Sequence, residues 1–84
     1  MSIIVKHPIS TEKSIKLLES ENTMIFIVDR IARKPEIKKE IEEIFKAKVS
    51  SVNTSIDKDG KKKAYVKFAP GVEAIDIATK LGLM

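Results

Sequence analysis

The sequence has no cysteine. That excludes a disulfide framework, thiol catalysis and a thiolate metal site, and it fits a reducing cytoplasm. Histidine is almost as scarce: His7 stands alone, and no serine has a nearby base to activate it. An enzyme lacks its parts here, so a non-catalytic protein is expected, with no cofactor and no metal. The stretch DKDG at Asp57 to Gly60 resembles the start of a calcium loop. Its glycine comes two places early and position twelve is Phe68, so it reads as a turn. The longest apolar run, Met24 to Val28, is far too short to cross a bilayer, and no signal-peptide pattern opens the chain. Stable membrane insertion is not expected.

What remains is a chain of 84 residues, which we read as one domain over 1–84. A domain of this size buries only about 60–65% of the surface its unfolded chain exposes, so its core is modest. Hydrophobic residues make up 43% and charged residues 33%, a balance that suits a globular fold rather than disorder. The net charge is +4 and the pI about 9.4. That is a weak pointer to a polyanionic partner, and the distribution of the charge must decide.

Ile3 to Val5 reads as a short edge strand halted by His7-Pro8. Ser10 or Thr11 then caps a helix with Glu12 in its first turn and Ile15 and Leu18 as its apolar stripe, ending near Glu21-Asn22. Thr23 to Asp29 is rich in branched and aromatic residues and predicts a strand that is apolar on both faces. Met24, Phe26 and Val28 point one way, Ile25 and Ile27 the other. Such a strand is either central and covered twice, or has one side awaiting a partner. After the basic connection Arg30 to Lys34, Pro35 opens a second helix in which Ile37, Ile41, Ile44 and Phe45 recur at helical spacing. Charged residues of both signs, Glu42 among them, are expected on its solvated surface.

Val49 to Ile56 and Lys61 to Phe68 predict a hairpin around Lys58-Asp59-Gly60. A two-residue turn would pair Ile56 with Lys63 and mix apolar with basic residues on one face. A three-residue loop with Gly60 left-handed pairs Ile56 with Lys62, Thr54 with Ala64 and Val52 with Val66, which separates an apolar face from a polar one. We favour the latter. Val72 to Leu81 closes the series as a helix, with Gly82 as terminator. The order β-α-β-α-β-β-α predicts an α+β two-layer sandwich, a small four-stranded, mainly antiparallel sheet with helices on one face.

In the favoured register the open hairpin face carries Ser51, Asn53 and Ser55 beside Lys63, Tyr65 and Lys67, with no acid among them. Small hydrogen-bonding groups, lysines and one ring suit a sugar–phosphate backbone. Lys61 and Lys62 extend the charge, and Lys6, Lys13, Lys16, Arg30, Arg33 and Lys34 enlarge it if they share that face or its rim. A plainer reading makes these lysines guards of an edge strand. Ala64 to Phe68 (AYVKF) also matches the tail of the RNA-recognition-motif signature. But Lys62 and Lys63 stand where its glycine and first ring belong, and one tyrosine is no platform for reading single-stranded bases. Folded RNA, met through shape and phosphate, is the better expectation.

HPISTEKS at His7 to Ser14, FIVDRIARKPEIKKEIEEIF at Phe26 to Phe45, VSSVNT at Val49 to Thr54 and KKAYVKFAPGVEAIDIATKLG at Lys62 to Gly82 follow one another across nearly the whole chain. In that order they resemble the universal L-twenty-three family of large-subunit ribosomal proteins. The resemblance implies binding to large-subunit rRNA beside neighbouring ribosomal proteins at the rim of the nascent-chain exit tunnel. It also implies a docking surface for signal recognition particle, the protein-conducting channel and, in bacteria, a chaperone. Asn53, Thr54, Lys62, Lys63 and Tyr65 match motif positions we assign to RNA contact, with His7 near a phosphate. Glu12 matches the acidic position at which bacterial members engage the chaperone.

The hairpin is short where bacterial members extend it towards the tunnel lumen, and the long basic N-terminal extension of eukaryotic members is not seen, so this compact form is similar to archaeal members. A cytoplasmic, ribosome-bound location follows from the resemblance. The rival reading is a non-ribosomal protein-interaction module that uses the sheet face and Ile25 and Ile27. The two differ in what they expect: on the RNA reading Lys63→Glu weakens binding, while Glu42→Lys does almost nothing.

Overall fold

The computed structural model describes residues 4–82. Seven elements follow in the predicted order: β1 (Val5–Pro8), α1 (Glu12–Glu21), β2 (Thr23–Val28), α2 (Lys34–Phe45), β3 (Val49–Ile56), β4 (Lys62–Phe68) and α3 (Ala74–Lys80). The four strands form one antiparallel sheet in the order β1-β2-β4-β3. Met24, Phe26 and Val28 of β2 join Ala64, Val66 and Phe68 of β4 and Val49 of β3 on one face. Over them lie Leu18 of α1, Ile37 and Ile41 of α2, and Ala74, Ile77 and Ala78 of α3. The rings of Phe26 and Phe45 meet at 5.9 Å between centroids, tilted by 35°. This is the expected two-layer arrangement, with the main core cluster on the helix side of the sheet.

The hairpin register is the favoured one: Ile56 pairs with Lys62, Thr54 with Ala64 and Val52 with Val66. Three residues form the loop, closed by the Asp57 N–H donating to Lys61 O at 3.0 Å. Gly60 sits at φ +81°, where a side chain is strained, and the Asp57 carboxylate accepts from the N–H groups of Asp59 and Lys61. Thr11 caps α1, its hydroxyl accepting from Ser14 N–H while the Ser14 hydroxyl accepts from Thr11 N–H at 2.7 Å. α2 starts one residue before Pro35, which costs nothing because the first four N–H groups of a helix have no partner in it. The last helix is shorter than expected, beginning at Ala74 rather than Val72, and Gly82 follows its end at φ +77°. Ile44, expected among the core positions, is 37% exposed at the margin of α2.

Three expectations are corrected. The first strand was placed at Ile3 to Val5; Ile3 lies outside the described residues, and the strand runs on through His7 and Pro8. Pro8 fits because β1 is an edge. Ile9 N–H donates to Ile25 O, so the odd residues of β2 serve β1, and the nitrogen of Pro8 faces away from the ladder. Ile25 and Ile27 do not await a partner: they are 6% and 8% exposed. Ile25 is enclosed with Met24 by Ile9, Ile15 and Leu18, because α1 lies along the part of β2 that β1 is too short to reach. Ile27 sits between His7 and Lys63 on the neighbouring strands. Glu42 is not on a solvated surface: half-buried, it accepts the Val49 N–H at 3.0 Å and so anchors the start of β3.

Candidate nucleic-acid interface

Cross-strand partners share a face, so the register draws the open side of the sheet as three rows. Ser51, Lys67 and Thr23 form one; Asn53, Tyr65 and Ile25 the next; Ser55, Lys63, Ile27 and His7 the third. Thr23, Ile25 and Ile27 are buried floor, while His7, Ser51, Asn53, Ser55 and Lys67 are exposed and Tyr65 and Lys63 half-buried. The half-burial has a cause. β4 is an inner strand, so its side chains are supported on both flanks and only their tips reach solvent. The reading of these lysines as edge guards therefore fails, because β4 is not an edge.

The candidate residues do not all gather here. His7, Asn53, Lys63, Tyr65 and Lys67 share the open face. Thr54 and Lys62 point to the opposite side, in line with Ala64 and Val28. Lys62 is spent internally: its Nζ donates to Ala32 O at 2.6 Å and lies 3.5 Å from Arg30 O, holding the connection between β2 and α2 against the sheet. Arg30 lies against the hairpin turn, its Nη1 3.7 Å from where a Cβ on Gly60 would stand. Arg33 and Lys34 are exposed at the start of α2, where Glu36 accepts the Arg33 N–H at 2.9 Å. With Lys61 these make a second basic group at the hairpin end, distinct from the open face. Lys6 is the extra residue of an irregularity between Val5 and His7 on the β1 edge.

Lys13 and Lys16 are exposed on α1, and Lys16 lies 4.0 Å from Glu12, a pair so open to water that it contributes little. Glu12 is 90% exposed in its side chain. Sequence reasoning missed what α1 brings to the open face. Leu17 and Glu21 border a depression whose other walls are Thr23, Ser51, Asn53, Tyr65 and Lys67. Lys13, Leu17 and Glu21 lie on one helical stripe, a spacing of four that could have flagged them. Glu21 is an acid at this rim, and beyond it Glu19 and Glu73 border a further depression that also reaches Lys67.

Residues 3–73 match the family model described as ribosomal protein L23. The chain belongs to this family. It is also similar to a large ribosomal subunit protein, uL23, of Trypanosoma brucei brucei, with 44% identity over 81 residues. Those residues are 96% of this chain and 49% of that protein, so the chain spans about half the length of the curated relative it matches. The family is one of structural components of the large ribosomal subunit and not of enzymes. The family is thus the one that the motifs from His7 to Gly82 resembled.

Proposed function

We propose that the 1–84 segment is an rRNA-binding domain of the large ribosomal subunit that lays the open face of its sheet on folded RNA. The observation that carries this is the register. It sets His7, Ser51, Asn53, Ser55, Lys63, Tyr65 and Lys67 on one face, with a buried floor of Ile25 and Ile27 and no acid inside the patch. Lysines and the histidine neutralise or bond phosphates, the small polar groups follow sugar and phosphate oxygens, and Tyr65 offers an edge for a single base or sugar. Lys6 and Lys13 extend the rim. Arg30, Arg33, Lys34 and Lys61 form a second contact at the hairpin end. Thr54 and Lys62 drop out of this set because they face the helix side, where Lys62 holds the connection between β2 and α2.

Membership of the family supports a ribosome-bound place for the domain, which we read as cytoplasmic, beside neighbouring large-subunit proteins near the tunnel exit. Glu12, exposed in the first turn of α1, is the residue we assign to factors that meet the emerging chain, signal recognition particle and the protein-conducting channel among them. Nothing in this role needs a cofactor.

The test is a salt titration of binding to folded large-subunit rRNA fragments, with an unstructured RNA of equal length alongside. About six neutralised phosphates give a slope of log affinity against log salt of roughly −4 to −5. Lys63→Glu should weaken binding to the preferred fragment and flatten the slope, while Glu43→Lys, on the exposed side of α2, should change neither. Equal binding to both RNAs, or indifference to Lys63→Glu, would sink the reading.

A further inference from the structure

The two edges of the sheet are built differently. β1 is short, carries Lys6 at an irregularity and places Pro8 in the strand, three features that discourage another strand from pairing there. β3 is the other edge, and it has none of them between Val52 and Ile56. Over Val49–Ile56 it runs for 8 residues without a proline, a lysine or any other charge. Its one irregularity lies at the far end, between Val49 and Ser51, and an uncharged edge that is regular beyond it is what natural sheets avoid unless something covers it.

Its hydrogen-bonding phase can be stated. Asp57 N–H bonds to Lys61 O, so by alternation Ser55, Asn53 and Ser51 direct their main-chain groups at Lys63, Tyr65 and Lys67 of β4. The N–H and C=O groups of Val52, Thr54 and Ile56 then point outwards, and no described residue bonds to them. The side chains of these three lie on the helix side of the sheet. Beside Val52 a groove is walled by Lys34, Pro35 and Lys38 of α2. At the other end of the row Ile56 is 54% exposed. On α2 and in the hairpin turn, Glu42 accepts the Val49 N–H, Glu36 the Arg33 N–H and Asp57 the N–H groups of its own turn.

We propose that the β3 edge is a further interface, distinct from the open face of the sheet though it shares Lys34 with the basic group at the hairpin end, which takes up an extended polypeptide segment as a fifth strand. That segment carries an acidic side chain opposite Val52 and an apolar one opposite Ile56. Three outward N–H and three outward C=O groups alternate along the edge, and a peptide supplies both acceptors and donors at that spacing. An RNA backbone presents mainly phosphate acceptors, its 2′-hydroxyls being the one backbone donor, and does not alternate donor with acceptor along one line as a peptide edge does. A second copy of this chain fits poorly. Antiparallel pairing about Thr54 would set Val52, with Lys34 and Lys38, against Ile56 and the hairpin lysines of the other copy, bringing like charge to like.

Two capped heptapeptides serve as probes of the whole chain, one with glutamate at its second position and valine at its sixth on a threonine background, and one with lysine in place of the glutamate, so that charge and apolar group stand four apart on one face. Amide hydrogen exchange and chemical shifts are read residue by residue by NMR. The glutamate peptide should slow exchange at Val52, Thr54 and Ile56 while leaving Ser51, Asn53 and Ser55, already bonded to β4, unchanged. The lysine peptide should bind roughly five- to tenfold more weakly, the range for a few exposed ion pairs. The double variant Lys34→Glu, Lys38→Glu should reverse that ranking. Thr54→Pro should abolish binding of both peptides, and if it fails to fold the charge reversal still decides.

Several results would overturn the proposal. One is the absence of protection at the three amides with either peptide; another is a ranking that ignores the charge reversal. Protection of the same amides by self-association without peptide would make a second copy the occupant. Protection by a folded rRNA fragment alone would make it RNA.

Discussion

Asn22 is the residue whose replacement should reveal most about how this domain holds together. It ends α1 in the left-handed region at φ +53°, and its main-chain O accepts the Phe68 N–H at 3.1 Å. Its side chain then reaches the connection between β4 and α3. Oδ1 accepts the Ala74 N–H at 2.7 Å, and Nδ2 donates to Val72 O at 2.6 Å and lies 3.4 Å from Phe68 O. One residue thus ends one helix through its backbone N–H, which donates to Leu17 O, and through its side chain supplies an acceptor to the first N–H of another, 52 positions away. Asn22→Gly keeps the backbone conformation and leaves a partly buried donor and acceptor unpaired, which should cost about 2–3 kcal/mol. Asn22→Ala adds the penalty of a side chain in the left-handed region, roughly 1 kcal/mol more. For a domain of this size that is a fall in Tm of roughly 10–20 °C, with alanine below glycine. Urea unfolding followed by circular dichroism gives the free energies, and amide exchange at Ala74 reports the local effect. If glycine matches wild type within about 0.5 kcal/mol, the bridge contributes nothing and the reasoning fails.

Other replacements separate residues that sequence alone treats as alike. Lys62→Met should cost about 1–2 kcal/mol by freeing the carbonyl of Ala32, with the salt slope of RNA binding unchanged, whereas Lys63→Met should leave stability alone and reduce that slope by about 0.7–0.9. Ile25→Ala should destabilise the free protein by about 2–4 kcal/mol in urea; a loss below 0.5 kcal/mol, roughly the surface value, would mean the side chain is not core. Glu42→Lys should cost about 1–2 kcal/mol, because the Val49 N–H loses its acceptor, while Glu43→Lys should fall within about 0.5 kcal/mol of wild type.

What could be read from the sequence was local or periodic. Gly60 with Asp57 specifies the hairpin loop, and once its length is given, alternation places each of Ser51 to Lys67 on a face. The helices declared themselves through Thr11, Pro35 and Gly82. Less legible was whatever depends on which strands become neighbours. Nothing in β4 says that it lies between β2 and β3, so the plainer reading of its lysines as edge guards stayed open beside the RNA one. The same blindness made Ile25 and Ile27 look exposed, since their cover comes from α1 and from the strands on either side. Glu42 and Asn22 were opaque for a related reason: each serves a backbone group remote in sequence, and a lone polar side chain carries no period to betray that.

The same placement of β4 explains why the sheet has only one layer of helices. Lys63 and Lys67 sit on an inner strand, and a second helical layer over the open face would strip water from both amines without supplying acids to pair them. Ser51, Asn53 and Ser55 would likewise lose the solvent that satisfies them. The open face therefore tolerates cover only by something anionic and rich in hydrogen-bonding groups. β2 can remain apolar on both sides in such a sheet because Tyr65, Lys63 and His7 shield Ile25 and Ile27 with their own carbon atoms while their polar tips reach solvent. Burial of the floor and display of the charge are thus performed by the same side chains. A substitution there that shortens the stem, such as Lys63→Ala, should lower stability as well as RNA affinity, whereas Lys63→Met should lower affinity alone.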